Sequence, residues 1–142
     1  MDKRLVRETA VFALVGGLFF LPAFASAEPA VCSILSPVQV SSIIGAHVGS
    51  GVAITRSDPA APGAIGHACA YLGESRSVVL GLYRGSSAQL ARIKQINEHG
   101  GSVTAMHGDT LVSVLVTDTN SGARTPDRPA SKKLLAAALS KP

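Results

Sequence analysis

The chain has no tryptophan, and its four phenylalanines, Phe12, Phe19, Phe20 and Phe24, all precede residue 25. Beyond that point its only aromatic residues are Tyr71 and Tyr83. Two tyrosines are too few for a base-stacking platform, and the basic residues are dispersed, so nucleic acid is excluded as an expected partner. A core built from the residues beyond that point is expected to consist of Val, Ile, Leu, Ala and Met106. Charge is also scarce. Charged residues make up 15% of the 142 against 46% hydrophobic, with a net charge of +4, which excludes a disordered polyelectrolyte. Cysteine is limited to Cys32 and Cys69, and no C-x-x-C spacing occurs, which excludes a thioredoxin-like redox site.

The motifs of common catalysis are missing as well. There is no G-x-S-x-G, no H-E-x-x-H and no G-x-x-x-x-G-K-(S/T). His47, His67, His99 and His107 never pair at helical spacing, so no local chelate is visible. Asp58, Glu74, Asp109, Asp118 and Asp127 fall in expected turns and loops, where a general acid lacks the shielded pocket that shifts its pKa. The expectation is a chain with no catalytic residues, no cofactor and no metal.

What is present begins with an address. Lys3, Arg4 and Arg7 form a basic start, and Ala10–Phe24 is an almost wholly apolar run. Ala25-Ser26-Ala27 supplies a small-residue cleavage pattern before Glu28. The run is short for a membrane span of about 20 residues and holds a Gly16-Gly17 pair. Residues 1–27 therefore read as a secretory signal peptide, and residues 28–142 as one periplasmic or secreted domain. A membrane would be met only through the signal peptide before cleavage. An even cysteine count behind such a segment predicts a structural Cys32–Cys69 disulfide rather than free thiols.

The local signals predict an α+β domain. Ser36-Pro37-Val38-Gln39 is a capping box with proline at the first helical position, opening a helix over Pro37–Ile44 that Gly45 ends. Strands are expected at Val52–Thr55, His67–Leu72 and Ser77–Arg84, with a loop over Ser57–Gly66. Ser86-Ser87-Ala88-Gln89 opens a second helix with Leu90, Ile93 and Ile96 as its expected buried stripe. A hairpin follows, Ser102–Met106 and Thr110–Thr117, then a polar loop over Asp118–Arg128 and a final helix near Pro129–Ser140. The two capping boxes stand fifty residues apart, as a duplicated helix–strand–strand unit would place them; the alternative is that capping boxes look alike wherever they occur. Two layers are expected: an antiparallel sheet of about five strands, with helices mainly on one face.

Cys32-Ser33-Ile34-Leu35-Ser36, then Gly45, then Cys69-Ala70-Tyr71, resemble the mature N-termini of a group of small bacterial secreted proteins and lipoproteins. Those open with Cys-x-Leu-Leu-(Ser/Thr) and carry a second cysteine before an aromatic. The resemblance covers roughly residues 32–83 and implies a disulfide-stapled α+β envelope domain. It carries over no catalytic residues. Pro29-Ala30-Val31 before Cys32 departs from the small-residue box of the lipoproteins.

Two expected strands are apolar on both sides. If helices cover one face of the sheet, Val79, Tyr83, Leu111 and Leu115 form an apolar patch on the other, a candidate binding surface. The alternative is that the C-terminal helix covers them. Arg124, Arg128, Lys132, Lys133 and Lys141 concentrate positive charge near the C-terminus and read as a solvated helix face. The function expected is a non-enzymatic module binding an envelope protein or small ligand through its sheet. The alternatives are a small envelope enzyme with a site invisible in sequence and a structural subunit of an envelope assembly.

Overall fold

A computed structural model describes residues 31–56, 61–120 and 124–141. The expected signal peptide lies outside these, as do residues 57–60 and 121–123 of the two expected loops. The described chain runs α1 (Pro37–Ile44), β1 (Val52–Arg56), β2 (Ile65–Leu72), β3 (Arg76–Arg84), α2 (Ser87–His99), β4 (Val103–His107), β5 (Thr110–Asp118), β6 (Thr125–Pro126) and α3 (Arg128–Leu139). All strand pairings are antiparallel, in the order β1-β2-β3-β5-β4, with β6 on β5 beyond the end of β4. The architecture is the expected α+β.

The helix boundaries follow from their caps. In α1 the Ser36 hydroxyl accepts from the Gln39 N–H at 3.1 Å while the Gln39 amide oxygen accepts from the Ser36 N–H at 2.9 Å. Gly45 closes the helix in the left-handed conformation at φ 70°, where a side chain would be strained. Ser86 and Gln89 repeat the box at α2. Asp127 caps α3 by accepting from the Ala130 N–H at 3.1 Å. The β4–β5 hairpin turns at Gly108-Asp109, with φ 65° at the glycine, the positive first position of a type II′ turn.

Strand parity sorts the side chains onto two faces. The front face presents Cys69, Tyr71, Val78, Leu80, Val103, Val112, Val114 and Val116, which pack with Val31, Leu35, Val40 and Ile44 of the α1 region. Ala130, Leu134, Leu135 and Ala138 of α3 close the same core. The Cys32–Cys69 disulfide joins the entry of α1 to β2. At the edge of β5 left bare by the end of β4, the buried Ser131 hydroxyl accepts from the Val116 N–H and donates to the Asp127 carbonyl. A strand edge that would bury an unpaired donor is thereby satisfied.

The remaining helix, α2, lies on the back face. Leu90 and Ile93 pack with Tyr83, Leu111, Ala61 and Ala64. Its expected stripe is corrected at one position: Ile96 is 40% exposed. Seven residues make two helical turns, so the stripe that starts at Leu90 continues at Asn97, and Ile96 falls on its flank. Units α1–β1–β2 and α2–β4–β5 flank β3 with mirrored strand order and helices on opposite faces. A two-fold rotation along β3 would place a repeated unit this way.

Candidate functional site

The four residues expected to form a surface make two cross-strand pairs on the back face, Val79 opposite Leu115 and Tyr83 opposite Leu111. The structure separates the pairs. Tyr83 and Leu111 are buried beneath α2 and the Ala61–Ala64 turn. Val79 and Leu115 lie past that cover and are half-buried. The C-terminal helix, the alternative cover, is on the front face and leaves this half of the back face open.

The open half is wider than those two residues. The registers put Val52 opposite Ala70, Ala70 opposite Val79 and Val79 opposite Leu115, an uncharged apolar row across four strands. Val52 is 55% exposed, and Ile54 and Leu72, on the same face, are 43% and 63% exposed. Sequence reasoning missed Val52, Ile54, Ala70 and Leu72. Alternation assigns each to one side of its own strand. Only the β1–β2 and β2–β3 registers place that side with Val79.

Where the row meets α2 there is a cleft of about 200 Å³. Val79, Leu115 and Ile96 form its apolar walls, and Tyr83, Asn97, Ser102 and Ser113 its polar lining. Asn97 Nδ2 donates to the Ser113 hydroxyl at 3.3 Å, and the Asn97 carbonyl accepts from the Ser102 N–H at 3.0 Å. Gly81 makes room for the tyrosine. A Cβ at that position would stand 2.8 Å from Tyr83 Cε2 and 3.0 Å from its Oη, so the ring lies back over the bare glycine. Among the described residues, neither Tyr83 Oη nor Ser102 Oγ has a protein hydrogen-bond partner; both oxygens remain open to solvent on residues that are otherwise buried, 8% and 7% exposed. No charged side chain lines the cleft.

Two larger hollows read differently. A cleft of about 780 Å³ between the end of α2 and the start of α3 includes His99, Asp118, Asp127 and Arg128. Its carboxylates serve the fold: Asp127 caps α3 and meets Arg76 at 3.1 Å, while Asp118 accepts from the Asn120 N–H and lies 4.0 Å from Arg76. An apolar groove of about 420 Å³ runs between α2 and the β4–β5 turn, over Leu90, Ala91, Met106 and Leu111. Glu98 anchors α2 beside it, accepting from the Thr104 hydroxyl at 2.5 Å and pairing with Lys94 at 3.3 Å. The Thr104 hydrogen bond, then Lys94, holds its carboxyl below the ordinary 4.5.

Among the described residues no group of three His, Cys, Asp or Glu is placed to hold a metal ion. No helix among them is long and apolar enough to cross a membrane. Arg124, Arg128, Lys132 and Lys133 face solvent on or beside α3, with Lys141 half-exposed. Comparison with protein-family models, curated proteins and solved structures found no match.

Proposed function

We propose that the protein is an exported, non-enzymatic envelope module that binds a protein or small ligand through the open half of its back face. One observation carries this reading: the uncharged row Val52–Ala70–Val79–Leu115, continuous across four strands and uncovered by any described helix. Contiguous exposed apolar surface on a sheet is costly to leave in water and marks a contact site. Export draws support from the signal-like residues 1–27, from the N-terminal resemblance and from the disulfide. A disulfide indicates an oxidising, non-cytoplasmic compartment.

The test is native mass spectrometry of the protein purified gently from the envelope of its own host, beside Val52→Asp and Leu72→Asp variants. Both positions are exposed, so the variants fold. A bound species carried by the parent chain and lost from both variants is expected. Equal retention by the folded variants overturns the reading.

A further inference from the structure

We propose that the 200 Å³ cleft holds the uncharged polar head of an amphiphile whose aliphatic tail lies along the row from Leu115 to Val52. This inference rests on the binding role proposed above and names the ligand class. Three features of the site select it. The first is hydrogen bonding. Tyr83 and Ser102 are more than nine-tenths buried as residues, yet their hydroxyl oxygens lack protein partners and stay open to solvent, and both residues line the cleft. A hydroxyl can donate and accept, so a head that does both, an alcohol or a neutral amide, satisfies the pair. The second is charge. With only neutral groups around it, the cleft would strip water from a carboxylate or ammonium without supplying a counter-charge.

The third feature is size and direction. The cleft is smaller than the roughly 300–1,000 Å³ sites that enclose whole drug-sized molecules. A head fits, and the rest of the molecule must lie outside. Val79 and Leu115 belong to both the cleft wall and the row, so the exit leads onto apolar surface. Three strand spacings of ~4.8 Å give a track about 14 Å long, suited to an extended alkyl chain. Tyr83 is held against Gly81 before any ligand arrives, which limits the ordering cost of binding.

The experiment uses three probes of one chain length, 1-octanol, octanoate and octylammonium, titrated at neutral pH into the intact protein. Methyl NMR shifts of Val79 and Leu115 are the readout. Saturable shifts with octanol are expected, with both ions at least about tenfold weaker. Tyr83→Phe and Ser102→Ala should each weaken octanol by roughly 3- to 10-fold, the worth of one neutral hydrogen bond. Each removes a hydroxyl with no protein partner, so the melting temperature should not fall.

Octanol and octanoate binding alike, or octanol binding unchanged in both variants, overturns the head-group assignment. Absence of shifts at Val79 and Leu115 with all three probes overturns the amphiphile proposal entirely. In neither case is the broader sheet-face reading decided, because that stands or falls on retention by Val52→Asp and Leu72→Asp.

Discussion

Tyr71 and Tyr83 show how far one residue type diverges with its side of the sheet. Tyr71 faces the front core, where its hydroxyl donates to the Leu35 carbonyl at 2.6 Å. Burial raises its pKa above the ordinary 10.0, because the phenolate would be desolvated. The unfolded chain therefore ionises first as pH rises. The stability from neutral Tyr71 is fully present below pH 10 and is lost progressively above it. Tyr71→Phe should cost about 1–3 kcal/mol at neutral pH, since it leaves the Leu35 carbonyl unpaired. It should also remove part of the alkaline fall in stability, which urea titrations on either side of pH 10 measure. Gly51 is a second residue with a single spatial reason. A Cβ there would collide with Cys69 Sγ and stand 3.1 Å from both Cys32 Sγ and Tyr71 Cε1. Gly51→Ala should destabilise the domain by about 1–3 kcal/mol, read as a lower melting temperature. Neither role was legible in the sequence. Alternation separates odd from even positions without saying which side is core, and the approach of Gly51 to the disulfide exists only after folding.

Elements were easier to read where chemistry marks their ends. The boxes Ser36–Gln39 and Ser86–Gln89 fix the starts of α1 and α2, and Gly45 fixes the end of α1. The two-residue β6 had no such mark. Thr125-Pro126 is too short for alternation to appear, and only its pairing with Thr117 and Asp118 defines it. The back-face position of α2 was equally hidden, because amphipathicity says that a helix has a buried side and not which side of a sheet receives it. Asn97 at the inner stripe gives no signal of it either, since a polar residue there looks like the wet side until Ser113 is seen to accept from it. Arg76 does at element scale what no periodicity announces. It donates to the Ile44 carbonyl at the end of α1 and pairs with Asp127, the cap of α3. Asp127→Ala loses both the cap and the ion pair and should lower stability by about 1–2 kcal/mol. Asp127→Asn keeps a capping oxygen and should recover at least half of that loss. Parallel urea midpoints distinguish the two contributions.

At the scale of the whole molecule, the core of the described residues contains tyrosine but no phenylalanine, the expected Met106 is half-exposed, and stability rests on aliphatic packing plus one covalent tie. The tie closes a 37-residue separation and by chain entropy contributes about 3–4 kcal/mol. Domains of this kind hold a net stability of only about 5–15 kcal/mol, so the contribution is a large share of the total. Its effect should also be uneven. The disulfide fastens the segment around α1 to β2, and the α1 contacts that remain include apolar packing, the Tyr71 hydroxyl and Arg76. The β3–β5 pair sits at the centre of the sheet, with β2 laddered along β3 and β4 and β6 paired along most of β5. Reduction, or Cys32→Ala with Cys69→Ala, should therefore accelerate amide exchange first through Val31–Ile44 and the β1–β2 pair. Amides of β3 and β5 should hold until global unfolding. Exchange followed residue by residue in oxidised and reduced protein tests this directly. Uniform acceleration would mean that the domain opens as one unit, and that the disulfide acts only by raising the free energy of the unfolded ensemble. Selective acceleration would mean that it pins the front layer in place while the ladders beneath the back-face cleft persist without it.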